Sequence, residues 1–124
     1  MEQVFIMTNV PSGTYDLVVS KKCHLDYTIT GLVVGTGDLD LRSSANPNIK
    51  TMTLLCGDIT GDGNINSSDL SQIILQENYG KPVSDTSVNP LADLNGDGYI
   101  NSSDLSIVIM QANYGKANVV YPYT

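Results

Sequence analysis

The 124-residue chain holds one histidine, His24, two cysteines, Cys23 and Cys56, and six basic residues against 13 acidic ones. It has no apolar run of the ~18 residues a bilayer span requires. Each scarcity excludes something. One histidine leaves no material for a His-based zinc or catalytic cluster, and His24 reads as a surface or half-packed side chain. A net charge of −7 with no basic stripe to meet phosphates argues against nucleic acid. It argues equally against an anionic membrane surface. Two cysteines are too few for a disulfide framework and too far apart for a CxxC metal or redox motif. They read as two free thiols or as one bridge. No signal-peptide pattern opens the chain. MEQVFIM looks like the middle of a strand, as in an excised fragment whose export signal lay in the missing part.

What is present falls into two parts, within a length that allows one domain or two very small ones. Before residue 56 the segments QVFIMTNV, TYDLVVSK, DYTITGLVV and IKTMTLL are rich in β-branched and aromatic residues. Turn residues at 11–13, 35–37 and 45–47 separate them, which predicts strands. Alternation places Tyr15, Leu17 and Val19 on one face. After residue 56, DLSQIILQENYG and DLSIVIMQANYG predict two helices ending at Gly80 and Gly115.

A polar phrase introduces each helix. GDGNINSSDLS at 61–71 returns as GDGYINSSDLS at 96–106. Counting Asp58 as position 1 of DITGDGNINSSD, Thr60 is at 3, Asp62 at 5, Gly63 at 6, Asn64 at 7, Ile65 at 8, Asn66 at 9 and Asp69 at 12. DLNGDGYINSSD puts Asp93, Asn95, Asp97, Gly98, Tyr99, Ile100, Asn101 and Asp104 at the same places. This is the spacing of an EF-hand calcium loop with Asp in place of Glu at position 12.

Chemistry accounts for the spacing. Ca²⁺ takes about 6–8 oxygens. Side chains at positions 1, 3 and 5 of a tight loop converge on one point. Position 7, Asn64 or Tyr99, offers its backbone carbonyl. Glycine at 6 permits the positive φ of the sharp turn. The isoleucines at position 8 are expected to pair with each other in a short β-bridge. The position-12 carboxylate reaches back from the helix start, where negative charge is favourable. Without metal the same phrases would be Asx-rich turns capping two helices. Clustered carboxylates repel, however, and two copies in register favour two Ca²⁺. The Thr60 hydroxyl is a poorer ligand than the Asn95 amide oxygen, so loop one is expected to bind more weakly or to recruit a water. Asn66-Ser67-Ser68 and Asn101-Ser102-Ser103 match N-x-S and read as coincidence inside the ion loops.

Loop one follows the strand-like TMTLLCG. Loop two follows VSDTSVNPLA, where Pro90 leaves room for one short helical turn. Each unit is therefore a loop with only its exiting helix, unlike a sensor that switches the angle between paired helices.

On these residues, 57–116 resembles a dockerin, the duplicated calcium-binding F-hand of cellulosome assemblies. The resemblance implies an extracellular, carbohydrate-degrading system of an anaerobic bacterium. It implies a cohesin domain of a scaffoldin or anchoring protein as partner. By position it implies metal ligation by Asp58, Thr60, Asp62, Asn64 and Asp69, and by Asp93, Asn95, Asp97, Tyr99 and Asp104. Loop positions 10 and 11 and helix positions 17 and 18 would meet the cohesin: Ser67, Ser68, Ile74 and Leu75, or Ser102, Ser103, Ile109 and Met110. Well-known dockerins often carry basic residues at 17 and 18. Apolar pairs here imply a more hydrophobic interface, as in dockerins that join a scaffold to a cell-surface anchor. Leu75 lies about 140° around the helix from Leu70, off the stripe that Leu70, Ile73 and Glu77 define. Met110 stands likewise to Leu105, whereas Ile74 and Ile109 sit nearer the core stripe. The competing use of these apolar residues is packing against the β part or the other helix.

The first part has a resemblance of its own. NVPSGTYDLVVSK followed by LDYTIT is similar to the carboxypeptidase-regulatory or transthyretin-like β-sandwich over about residues 3–55, without the family's opening strands. A related sandwich, the X module, precedes the dockerin in some cellulosomal proteins. Cys23-His24 stand where that family usually has Gly-aromatic. Tyr15 and Tyr27 read as core or sheet residues rather than a sugar platform. The expectation is an α+β chain: a β-sandwich-like, X-module-like fragment at 1–56, a two-helix dockerin with paired EF-hand-like calcium loops at 57–116, and a tail at 117–124. It is a non-catalytic cohesin-binding module, with no nucleic acid and no membrane as partner. The alternatives are a calcium-stabilised extracellular buffer or sensor, and a remnant of a hydrolase whose catalytic domain lies elsewhere.

Overall fold

The computed structural model describes residues 4–123. Its elements are β1 (Gly13–Val19), β2 (Tyr27–Val34), a 3-10 turn (Leu41–Ser43), α1 (Pro47–Lys50), α2 (Ser67–Ile74), β3 (Lys81–Pro82), a second 3-10 turn (Pro90–Ala92), β4 (Tyr99–Ile100), α3 (Ser102–Ile109) and β5 (Val119–Pro122). The chain is α+β, as its patterning implies.

The first sheet has the order β1-β2-β5, antiparallel between β1 and β2 and parallel between β2 and β5. Its inner face is set by register: Leu17 lies opposite Ile29, and Ile29 opposite Tyr121. Leu17, Tyr27, Ile29, Leu32 and Ile49 form the core of this part, covered by Leu41, Met52, Leu54 and Val119 among others. The rings of Tyr27 and Tyr121 stack at 5.3 Å, and the Tyr27 hydroxyl donates to the carbonyl of Asn48 at 2.7 Å. The sandwich-like reading of this part resolves, among the described residues, to this one sheet with α1 and its flanks on the inner face.

Several expected elements differ. The strand expected over 3–10 is absent from residues 4–10, which are exposed and unpaired; Gln3 lies outside the described residues. A register shift between Tyr15 and Leu17 breaks the alternation. Leu17 turns inward, while Tyr15 stays exposed and donates its hydroxyl to the Pro11 carbonyl at 2.7 Å. The strand expected in IKTMTLL begins as α1. Asn46 caps it by accepting from the Asn48 amide at 3.0 Å, and Pro47 occupies its first turn, where a missing N–H costs nothing. Residues 51–55 then run without a ladder until Leu25 N–H reaches the Leu55 carbonyl at 2.8 Å and His24 bridges Cys56. The segment read as a tail carries β5. Cys23 and Cys56 are both free thiols.

In the second part α2 and α3 pack over Ile59, Ile65, Ile73, Val88, Ala92, Ile100 and Val108. Leu25 from the first part joins the same cluster, so the two parts share a core. The helices stop earlier than the glycines suggest. The backbone leaves α2 at Leu75 and α3 at Met110. Asn78 and Asn113 are buried there, and their amides donate to the carbonyls of Gln72 and Ile107. A side chain thereby satisfies a carbonyl that another helical turn would have used.

Ile65 and Ile100 do not pair with each other. Ile65 exchanges hydrogen bonds with Gly115 and Lys116, at 2.7 and 2.8 Å. Ile100 accepts from Gly80 at 2.7 Å and pairs with Lys81 across β3–β4. Each loop is thus closed by the segment that follows the other repeat's helix, because that segment is the one emerging beside it.

Candidate metal centres and partner face

Each loop is organised around its first and last carboxylates. Asp58 accepts from the amides of Gly61, Asp62 and Gly63 at 2.9, 3.2 and 3.0 Å. Asp93 accepts from Gly96 and Gly98 at 3.0 and 2.9 Å. Asp69, wholly buried, accepts from Thr60 and from the Asn66 amide at 2.9 Å. Asp104, equally buried, accepts from Leu94, Asn95 and Asn101 at 2.8, 3.2 and 2.9 Å. Asp62 and Asp97 are exposed and bind the amides of Asn64 and Tyr99, at 3.0 and 2.9 Å. Gly63 and Gly98, at φ +86° and +91°, supply the left-handed turn at position 6.

In loop one, oxygens of Asp58, Asp62 and Asp69 lie within 4.8 Å of one another; no other such trio occurs among the described residues. Burial pushes the Asp58 carboxyl above its ordinary value and the negative charges of Asp69 and Asp62 add to this, against the pull of the Gly63 and Gly61 amides. A cation would relieve that penalty. The side-chain donors are all oxygen, which suits a hard divalent ion such as Ca²⁺. In loop two Asn95 bonds to both the amide and the carboxylate of Asp97, at 3.1 and 3.4 Å.

Position 9 has a role that the metal-ligand pattern does not reveal. Asn66 and Asn101 are helix N-caps: each accepts from the amide two residues on at 3.0 Å, while the position-12 Asp returns a bond to the cap's own amide. N-x-x-D is the readable signal, and it accounts for the repeated Asn without glycosylation.

The residues expected to meet a partner lie in two matching sets. Ser67, Ser68, Ser102 and Ser103 are exposed at the starts of α2 and α3. Leu75 and Met110 are 42% and 51% exposed, and Ile74 and Ile109, expected nearer the core, are 55% and 53% exposed. Ile74 and Ile109, still helical, lie one residue past the buried Ile73 and Val108 and so about 100° off the core stripe. Tyr79 and Tyr114 are also exposed a short way beyond each pair. The repeated NYGK was their signal.

Residues 56–113 match the dockerin type I domain, and this segment belongs to that family. Two solved structures resemble the chain over both parts. One is a C-terminal interface mutant of a type II cohesin–X–dockerin complex from Acetivibrio cellulolyticus (TM-score 0.63, 25% identity, 90% of this chain and 68% of that chain). The other is an N-terminal interface mutant of a type II complex from the same organism (TM-score 0.62, 26% identity, 89% of this chain and 67% of that chain). Residues 56–113 are therefore a dockerin segment, and together with the sheet part they resemble the two X–dockerin structures. No curated protein sequence matches the chain.

Proposed function

We propose that this chain is a non-catalytic assembly module that binds a cohesin domain in a calcium-dependent way and attaches its parent protein to an extracellular cellulosome scaffold or cell-surface anchor. The observation that carries the reading is the pair of exposed faces, Ser67-Ser68-Ile74-Leu75 and Ser102-Ser103-Ile109-Met110, each set above an oxygen-lined loop. Two Ca²⁺ would bind: one at Asp58, Thr60, Asp62, Asp69 and the carbonyl of Asn64, the other at Asp93, Asn95, Asp97, Asp104 and the carbonyl of Tyr99. The ions would fix each loop and with it the first turn of each helix. The apolar character of Ile74-Leu75 and Ile109-Met110 fits a cohesin with an apolar face. The cohesin–X–dockerin complexes similar to this chain support a cohesin as the partner.

Co-purification with a panel of cohesins tests it. Capture in Ca²⁺ and release in chelator is expected. A folded, calcium-loaded chain that no cohesin retains would point instead to a calcium-stabilised buffer or sensor.

A further inference from the structure

The two repeats are nearly identical in sequence, yet their surroundings differ. In loop one, the start and the turn are tied to the sheet part. At its start, the Cys23 carbonyl accepts from the amides of Gly57 and Asp58, at 2.8 and 3.0 Å. At its turn, Asn118 N–H donates to the Gly63 carbonyl at 2.9 Å, and the Asn118 side-chain oxygen accepts from the Asp26 amide at 2.9 Å. The next residue, Val119, donates to the Asp26 carbonyl at 3.1 Å and begins β5. Asn118 lies so close over the loop that a Cβ on Gly63 would meet its Nδ2 at 2.7 Å.

Loop two has the same backbone bond and none of the rest. Val83 N–H donates to the Gly98 carbonyl at 2.9 Å, which makes Val83 the counterpart of Asn118. Its side chain packs into the helical core instead. The start of loop two is held by its own 3-10 turn, through Asp93 N–H to the Pro90 carbonyl at 3.2 Å, and the first part reaches only that turn, through the Cys23 thiol on the Leu91 carbonyl at 3.3 Å, not the loop itself. A Cβ on Gly98 would meet nothing within 4 Å.

We infer that loop one and the sheet part order as one unit, with Asn118 as the positioning residue, so that cation binding in loop one and docking of β5 on β2 favour each other, while loop two fills independently of the sheet. The inference rests on the calcium reading proposed above. Linkage makes it reciprocal: whatever the folded sheet adds to loop-one affinity, the ion returns to the sheet.

The test uses the full chain with Ca²⁺ as the probe. Asp97→Ala leaves loop one as the working site, and Asp62→Ala leaves loop two. Adding Asn118→Val, which keeps the bond to Gly63 and removes the one to Asp26, should weaken loop one about three- to tenfold, the worth of one such hydrogen bond, and leave loop two unchanged in calorimetry. A second readout needs no change at Asn118. Amide exchange over 117–123 should slow when Ca²⁺ fills loop one and not when it fills loop two. Equal effects of Asn118→Val on both loops or on neither, or β5 protection that follows loop two, overturn the inference and leave the calcium reading standing. A wild-type chain that binds no Ca²⁺ overturns both.

Discussion

One carboxylate oxygen of Asp69 takes both the amide and the hydroxyl of Thr60, at 3.0 and 3.1 Å. In loop two the matching oxygen of Asp104 takes two amides, those of Leu94 and Asn95, and the Asn95 side chain faces Asp97. Position 3 of loop one therefore spends its hydroxyl on the protein. Thr60→Asn should raise loop-one calcium affinity several-fold. Calorimetry on the Asp97→Ala background reads this directly, and an unchanged or weaker site would mean that position 3 is not limiting.

Removing calcium should undo the helical part. Asp69 and Asp104 are wholly buried and each shares its loop with two further carboxylates; burial of such a set without a cation is unfavourable. Chelator should erase much of the helical circular dichroism and Ca²⁺ should restore it. Helicity indifferent to chelator would contradict this. Asp62→Ala and Asp97→Ala should each weaken binding, Asp97→Ala the more.

The thiols should be sluggish and should report on pH. Burial pushes Cys23 up, with Asp58 and Asp69 adding and Lys22 opposing. Burial also pushes Cys56 up, with Cys23 adding. A raised folded value favours the neutral thiol. Its contribution is complete below the ordinary thiol range near pH 8.5 and is lost as pH rises through the folded value. Alkylation at neutral pH should be slow in Ca²⁺. Between wild type and a Cys23→Ala/Cys56→Ala chain, the stability difference should move against wild type on the alkaline side. Rapid labelling of both thiols in Ca²⁺ would show that the joint between the two parts is open.

The repeated faces should be interchangeable. The Ser-Ser and apolar pairs contribute no proposed side-chain ligand to the ions, yet they recur, so one partner could be met in two orientations about 180° apart. Ser67→Asp with Leu75→Asp should leave cohesin affinity nearly intact, and so should Ser102→Asp with Met110→Asp. All four together should abolish binding, since desolvated charges in an apolar interface cost several kcal/mol. Loss of binding in one single-face variant that keeps its calcium-loaded fold would assign recognition to that face alone.

The sheet should not survive without the end of the chain. β5 supplies Val119 and Tyr121 to the inner face. Residues 1–56 alone lack it and should be unfolded or aggregate. Deleting 117–124 should lower the melting temperature of the first part and weaken calcium binding in loop one, while loop two still fills. A soluble, cooperatively melting 1–56 fragment would contradict this.

Legibility followed the range of the forces involved. The loops could be read because ligand type, spacing and glycine at position 6 act within a dozen residues. The starts of α2 and α3 followed from the same phrases. Their ends did not, because Asn78 and Asn113 close them by folding back from outside the helix. In IKTMTLL the local cap at Asn46 and Pro47 overrode β-rich composition. β5 was missed for the opposite reason: VVYP is short and contains Pro122, and it is a strand only because Tyr27–Thr30, far away in sequence, lie beside it. The pairing of Ile65 with Gly115 and Lys116 was hidden in the same way.

The placement of β5 also bears on proteolysis. The stretch 35–40 is exposed and lies between β2 and α1. A protease cutting there separates β1 and β2 from everything that follows. The downstream piece still holds β5 on β2, Leu55 on Leu25, and the Gly57 and Asp58 amides on Cys23. The nicked chain should run as two bands under denaturing conditions and as one particle without them, so a cut there would leave the two parts of the chain joined.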